Sequence, residues 1–157
     1  MHEATTLVSE SVDSFRQLVN VSDFYLYLPP KKDWFFPTSL ENMLYQWNSI
    51  QQVWDQMIQH ENAKHTIYQR VGLFRTDVLY QNNINISDGL AVTGNFDNFA
   101  NYTNDRIFYG LRKYALLWAT GRFSHVKPYL NTMFGKTCLL HSESFIFHLM
   151  QHWQVPL

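Results

Sequence analysis

The chain has 157 residues with 46% hydrophobic and 17% aromatic side chains, which excludes a disordered protein and fits one domain with its own core. Its 12 Lys and Arg and 13 Asp and Glu are scattered and leave a formal net charge of −1, so we expect no nucleic-acid partner. The single cysteine, Cys138, excludes an intrachain disulfide. No basic start is present and no stretch approaches the roughly 20 apolar residues of a membrane span, so we expect neither a signal peptide nor a transmembrane segment.

The first part of the chain predicts a short helix, a short strand and a long helix. Residues 11–20 carry apolar side chains at helical spacing, and the aromatic run 24–28 predicts a strand that ends at Pro29-Pro30. Thr38 then has the spacing of an N-cap relative to Glu41. Apolar residues recur every three or four positions from there to about His60, which predicts a long amphipathic helix.

The stretch 70–80 first indicates a functional site. A short apolar run, 71–74, predicts a buried strand, and Arg75 and Asp77 follow directly after it. Ionised groups at the end of a buried strand are costly unless they are paired or bind a ligand. Ligands also gather at the carboxyl ends of strands in open α/β sheets. Taken alone, the stretch fits equally well a ligand site or a partly exposed strand-to-loop junction.

The second half of the chain predicts one more strand and three helical segments. Residues 90–92 are a candidate strand, followed by a long loop rich in Asn and aromatic residues. A helix is predicted from Asn104-Asp105, whose side chains suit an N-cap, to Gly121, and the amides of its first turn could receive a phosphate. Residues 123–133 predict a helical segment broken near Pro128, and residues 141–153 predict a final helix. Helices between strands favour a largely parallel α/β sheet.

Histidine patterns were considered as metal sites. His60 and His65 lie five positions apart, whereas a zinc-protease motif needs a spacing of four, so we reject a metalloprotease. His141, His148 and His152 fall near one face of the last predicted helix, where they form either a metal site or a solvated face.

Four short motifs keep a common order along the chain: Gln46-Trp47, Arg75-Thr76-Asp77, Asn104-Asp105-Arg106 through Gly110, and Ser142-Glu143-Ser144-Phe145. Together they resemble a poorly characterised group of glycosyltransferase-like proteins with a GT-A-type fold, over about residues 40–157. The resemblance implies an α/β fold with a mostly parallel, Rossmann-like sheet flanked by helices. It also implies a nucleotide-sugar donor and a glycan or other hydroxyl acceptor. No convincing first strand precedes the region, so we expect one domain over residues 1–157 that lacks part of the N-terminal nucleotide-binding unit.

The resemblance also implies a metal site. Asp77 would stand where GT-A enzymes place the acid of an Asp-x-Asp motif, which bridges Mn²⁺ or Mg²⁺ to the donor diphosphate. His141 would be a further metal ligand. The first acid of the motif is replaced here by Arg75, so either Arg75 binds the diphosphate directly or metal binding is weak or absent.

The remaining site residues follow from the later motifs. The resemblance implies catalytic roles for Asp105 and Glu143 and substrate-binding roles for Asn104 and Arg106. For Arg106 and Glu143, a structural salt bridge is the alternative. We therefore predict a glycosyltransferase, with a non-catalytic carbohydrate-binding or interaction module of the same fold as the alternative. The aromatic stretches 34–36 and 96–102 suit either function.

Overall fold

Helices and one small sheet make up the part of the chain that the computed structural model describes, which is residues 12–27, 35, 37–95 and 102–157. The elements in chain order are α1 (Val12–Leu18), a 3-10 helix (Val21–Tyr27), α2 (Thr38–Lys64), β1 (Arg70–Phe74), β2 (Ala91–Thr93), β3 (Ile107–Leu111), α3 (Arg112–Thr120), α4 (Arg122–Leu130), α5 (Met133–Cys138) and α6 (Ser142–His152). The fold is therefore mixed α/β, as predicted.

The long helix α2 confirms the strongest sequence pattern. Its 27 residues contain neither Gly nor Pro and reach roughly 40 Å, with a buried stripe that includes Leu40, Leu44 and Trp47. The predicted cap is wrong, because Thr38 is already helical and Pro37 occupies the N-cap position without a side-chain hydrogen bond. Pro37 has a helical backbone conformation, so the turn begins one residue earlier than a Thr38 cap would allow.

The sheet differs from the predicted parallel arrangement. Its three strands run antiparallel in the order β1-β3-β2, with Val71 and Ala91 both paired with Gly110. A parallel pair needs a long crossover, usually a helix, between its strands. The described segment between β1 and β2 contains no helix, so the strands have no crossover element to make them parallel.

The central strand β3 occupies residues that were predicted to begin a helix. Residues 107–111 are an aromatic and apolar run that is buried between two partner strands, and α3 begins only at Arg112. Asn104 and Asp105 are therefore not helix caps, and no helix N-terminus lies there to receive a phosphate. Gly110 is needed in this strand, since a Cβ at that position would lie 2.4 Å from the carbonyl oxygen of Leu90.

The first predicted strand is also wrong. Residues 24–27 belong to the 3-10 helix Val21–Tyr27, and Leu28 lies outside the described residues. Phe24 packs edge-to-face on Phe123 at 6.5 Å between ring centroids.

The C-terminal helices complete the core. Pro128 lies inside α4 instead of breaking it, because its exposed position near the helix end costs only one backbone hydrogen bond. The break comes after Leu130, where Thr132 caps α5 by accepting a hydrogen bond from the Gly135 amide at 2.9 Å. The predicted last helix is confirmed as α6. Among the described helices, none combines the length and apolar character needed to cross a bilayer.

One hydrophobic core joins these elements. Its largest fully buried apolar and aromatic side chains come from α1, α2, β3 and the C-terminal helices, and include Phe15, Trp47, Phe108, Trp118, Tyr129, Phe145 and Leu149. The helix α3 packs against α2 and against the sheet, while α6 packs against α4 and α5. This packing leaves the end of β1 and the adjoining face of α2 open as a cleft.

Candidate functional site

A cleft of about 530 Å³ lies between the middle of α2, the end of β1 and the residues just before β3. Its lining combines apolar side chains with two arginines and two aspartates: Gln46, Ser49, Ile50, Val53, Gly72, Leu73, Phe74, Arg75, Thr76, Asp77, Asp105, Arg106 and Trp118. Arg75, Asp77, Asp105 and Arg106, four residues singled out from the sequence, therefore share one cleft.

Arg75 and Asp77, which both line this cleft, form a bidentate salt bridge. The Arg75 Nε donates to Asp77 Oδ1 at 2.9 Å, and Nη2 donates to Oδ2 at 2.5 Å. These hydrogen bonds raise the pKa of Arg75 above its ordinary value and lower the pKa of Asp77 below its own. Both oxygens of Asp77 are thus engaged by a guanidinium in the ligand-free chain.

The backbone of Arg75 is held by the neighbouring strand. Its amide donates to the Arg106 carbonyl oxygen at 3.0 Å, which extends the pairing of β1 with β3 by one residue. The Tyr80 hydroxyl donates to the carbonyl oxygens of both Arg75 and Arg106, at 3.3 and 3.1 Å. Partial burial raises the pKa of Tyr80. These hydrogen bonds therefore hold the backbone of Arg75 in place at the edge of the cleft.

Asp105 connects the cleft to three elements of the fold. Its side chain is buried, lies 3.7 Å from Arg75 Nη1 and accepts a hydrogen bond from the Ser142 hydroxyl at 2.5 Å. Its carbonyl oxygen accepts from Gln46 Nε2 at 3.5 Å, the long limit for a hydrogen bond. The carboxylate thus has fixed neighbours on the β1 and α6 sides and one face in the cleft.

Asn104, Arg106 and Glu143 form a second group beside the first. The fully buried Asn104 accepts a hydrogen bond from the Arg106 amide through Oδ1 at 2.9 Å. Arg106 Nη1 pairs with Glu143 Oε1 at 3.3 Å, and the Glu143 side chain is only 7% exposed. The salt bridge given as the alternative for these two residues is present. Glu143 pairs with the lining residue Arg106, and neither Glu143 nor Asn104 lines the cleft itself.

Arg122 is a residue that the sequence motifs missed. It is 2% exposed, and its Cζ lies 5.0 Å from the Trp118 ring centroid. Its Nε and Nη1 have no hydrogen-bond partner among the residues that the structure describes. Burial lowers the pKa of Arg122 to about 10, while the negative charge of Asp105 acts in the opposite direction. Arg122 is therefore a buried cation at neutral pH, directly behind the cleft wall formed by Trp118. Its spacing of four from Val126 places Arg122 on the buried face of α4, and that spacing was the available signal.

The predicted metal ligands Asp77 and His141 belong to different elements of the fold. Asp77 lies in the exposed turn after β1, whereas His141 precedes α6 and is not part of the cleft lining. The described residues contain no group of three or more His, Cys, Asp or Glu side chains arranged to hold a metal ion. The rings of His148 and His152 stack with 6.4 Å between their centroids. Burial, and to a smaller extent the charge of His152, lowers the pKa of His148.

Comparisons with known proteins gave no match: no protein-family model, no curated protein and no solved structure is significantly similar to this chain. The family resemblance therefore depends on the four sequence motifs. Of the aromatic stretches considered as sugar-binding surfaces, residues 34, 36 and 96–101 lie outside the described residues. Phe35 is largely exposed, and Tyr102 is half-buried against Phe134 and Phe147.

Proposed function

We propose that the chain is a glycosyltransferase-like α/β domain that transfers a sugar from a nucleotide-sugar donor to a glycan or other hydroxyl acceptor. One observation carries the proposal: Arg75, Asp77, Asp105 and Arg106, which the motifs selected from separate parts of the sequence, line a single cleft. The cleft volume of about 530 Å³ lies within the range of small-molecule sites.

The cleft chemistry supports an anionic ligand with an apolar part. Arg75 and Arg106 present guanidinium groups, whose forked geometry suits phosphate oxygens. Ile50 and Val53 on α2 and Phe74 on β1 provide apolar surface on which the non-phosphate part of a ligand can pack. In this proposal the arginines stabilise the negative charge that develops on a leaving diphosphate. Asp105 faces the acceptor hydroxyl, and Arg106 and Asn104 keep the adjoining backbone in place.

A Mn²⁺ or Mg²⁺ ion remains part of the proposal only through Asp77. A single carboxylate does not make a metal cage, but these hard cations often combine one or two carboxylates with phosphate oxygens and water. Such an ion would neutralise diphosphate charge when bound. Asp77 would have to leave Arg75 to hold it, since both carboxylate oxygens accept hydrogen bonds from that guanidinium.

Calorimetry with UDP- and GDP-sugars, with and without Mn²⁺, tests the donor-binding proposal. We expect binding that Arg75→Gln abolishes and that Asp55→Asn leaves unchanged, because Asp55 is an exposed residue of α2 outside the cleft lining. An absence of heat in every combination would remove the glycosyltransferase interpretation for this chain.

A non-catalytic carbohydrate-binding or interaction module is the second candidate. It is favoured by the charge pairing, since Asp77, Asp105 and Glu143 each have an arginine within 4 Å. For Asp77, the hydrogen bonds from Arg75 lower the pKa of the carboxyl group and make it a weak proton acceptor. The two candidates separate when donor and glycan acceptor are incubated together: transfer or hydrolysis of the sugar supports the enzyme, and glycan binding without either reaction supports the module.

A further inference from the structure

The three carboxylates at and behind the cleft differ in how easily a ligand can displace them. The side chains of Asp105 and Glu143 are 9% and 7% exposed, whereas that of Asp77 is 61% exposed. Asp105 also accepts a hydrogen bond from Ser142. Asp77 has Arg75 as its salt-bridge partner within the described part of the chain. Asp77 is therefore the carboxylate that can move into solvent at the lowest cost.

Arg75 is the fixed member of the pair. Its backbone amide continues the β1–β3 ladder, and its carbonyl oxygen accepts from Tyr80, so the base of the side chain cannot follow Asp77. The buried Asp105 lies 3.7 Å from Nη1 and keeps the guanidinium directed at the cleft. When Asp77 leaves, the Nε and Nη2 donors of Arg75 stay in place with their hydrogens directed towards the vacated position.

The vacated position suits one class of ligand group. Two parallel N–H groups of a guanidinium match two oxygens of a carboxylate or a phosphate, which is the geometry that Asp77 now adopts. We propose that Arg75 is an oxyanion-binding site whose resting occupant is the carboxylate of Asp77, and that the phosphate or carboxylate group of a ligand binds by displacing Asp77. This inference deepens the proposed function, on which it rests for the placement of the anionic group at Arg75.

The inference reverses the expected effect of removing Asp77. A carboxylate that competes for Arg75 weakens ligand binding, so its removal strengthens the binding of an oxyanion in the absence of metal. A carboxylate that serves only as a metal ligand does the opposite: its removal weakens binding, and only when the cation is present. The sign of the change without metal therefore distinguishes the two roles.

The test is calorimetric titration of the whole chain with inorganic pyrophosphate and, separately, with glucuronate, both in the presence of a chelator. We expect Asp77→Asn to bind at least one probe about two- to five-fold more tightly than the unsubstituted chain, the range that corresponds to an exposed ion pair. Asp55→Asn removes an exposed negative charge outside the cleft and should bind as the unsubstituted chain does. A gain with pyrophosphate alone identifies a phosphate ligand, and a gain with glucuronate alone identifies a carboxylate ligand.

A second background separates direct competition from a general charge effect. Arg75→Lys keeps the positive charge but loses the fork, so adding Asp77→Asn to it should give little further gain. An equal gain in the lysine background would overturn the inference, as would unchanged or weaker binding by Asp77→Asn. Failure of both probes to bind either chain would overturn it as well.

A spectroscopic measurement follows the displacement itself. The Nε–H resonance of Arg75, assigned by its absence in Arg75→Lys, should move on Asp77→Asn substitution and move again when pyrophosphate is added. If the chemical shift of this resonance does not change on Asp77→Asn substitution, the pairing of Arg75 with Asp77 is contradicted. A pyrophosphate gain without any binding of UDP- or GDP-sugars would leave the oxyanion site standing and remove the proposed function. Binding of UDP- or GDP-sugars without a gain in oxyanion binding would overturn the oxyanion site and leave the proposed function in place.

Discussion

Substitution of arginine by methionine should have opposite effects on the free energy of unfolding at two positions of this fold. Arg122 and Arg112 each lie over a tryptophan, with Cζ 5.0 Å from the Trp118 centroid and 5.2 Å from the Trp54 centroid. Arg112 also makes two hydrogen bonds to Glu61, at 2.9 and 2.8 Å. Within the described part of the chain, the Nε and Nη1 of Arg122 have no hydrogen-bond partner. Replacing each arginine by methionine leaves a shorter, unbranched apolar side chain and removes the guanidinium with its charge.

Arg122→Met should raise the free energy of unfolding. Each buried donor without a partner costs about 1–3 kcal/mol, whereas the lost cation–π contact is worth about 2 kcal/mol when desolvated. Replacement of a buried ion pair by apolar residues of similar volume is often neutral or stabilising by about 1–4 kcal/mol, and methionine, which is smaller than arginine, should reach only part of that range. After the attraction to Asp105 is subtracted, we expect a gain of about 1–2 kcal/mol. For a chain of this length the gain corresponds to a melting temperature roughly 2–8 °C higher.

Arg112→Met should lower the free energy of unfolding. It leaves the carboxylate of Glu61, which is 4% exposed, with the Tyr68 amide at 2.7 Å as its remaining hydrogen-bond donor among the described residues. Breaking a buried pair by removing one partner costs about 3–5 kcal/mol. Because Arg112 itself is 28% exposed, we expect the lower end of that range, about 3 kcal/mol.

Urea denaturation with linear extrapolation measures both changes on the same chain. The comparison is internal, because the two substitutions share the chemical change and the loss of one cation–π contact. A loss of more than about 1 kcal/mol in Arg122→Met would refute the reasoning. It would mean that the guanidinium of Arg122 is satisfied in solution by groups such as buried water.

Two further predictions concern the central strand and the last helix. Gly110→Ala should lower the free energy of unfolding by about 1–3 kcal/mol, because the added Cβ would meet backbone atoms. Gly72→Ala should lower it less, because the added Cβ meets the Phe74 ring, which can rotate away. Thermal denaturation of both variants measures the difference. The lowered pKa of His148 means that the unfolded chain binds its proton first as the pH falls below 6.5, so stability declines there. His148→Gln should flatten the decline between pH 7 and 5. Identical slopes in the substituted and unsubstituted chains would contradict the assignment.

Much of the fold was predictable where one periodicity dominates a segment. The apolar stripe of α2 spans 27 residues without Gly or Pro, and α6 repeats the pattern over a shorter length. The strand β1 was visible because charged residues end its short apolar run abruptly at Arg75. Such local patterns reflect burial on one face, which the fold preserves.

The sheet could not be derived in the same way. Residues 107–111 pass into α3 without a turn residue, and Leu111 is the extended N-cap of a helix that begins at the next position. An apolar run that leads directly into an amphipathic helix reads as part of that helix. The direction of the strands depends on pairing between distant segments, although the absence of a helical pattern between β1 and β2 already argued for an antiparallel sheet.

The charged residues of the candidate site could be predicted from the sequence, but the hydrogen bonds and ion pairs that they form could not. Arg75 and Asp77 stood out because charges ended a buried strand, and the structure joins them in one ion pair. The partners Ser142 and Tyr80 are ordinary polar residues in the sequence. Only the tertiary structure brings them to Asp105 and Arg75. Arg122 was hidden because an arginine on an apolar helix face gives no motif.

The strand order has a consequence for how the chain acquires its fold. No pairing joins β1 to β2, so neither strand has a partner in this sheet until residues 107–111 have been synthesised. The β1–β3 pairs connect residues 33 to 41 positions apart, from Phe74 with Ile107 to Arg70 with Leu111, and loop closure over such distances slows folding. The same event brings Asp105 and Arg106 beside Arg75. Sheet and cleft therefore form together, and a ribosome-bound chain that ends before residue 107 contains the α2 sequence but neither of them.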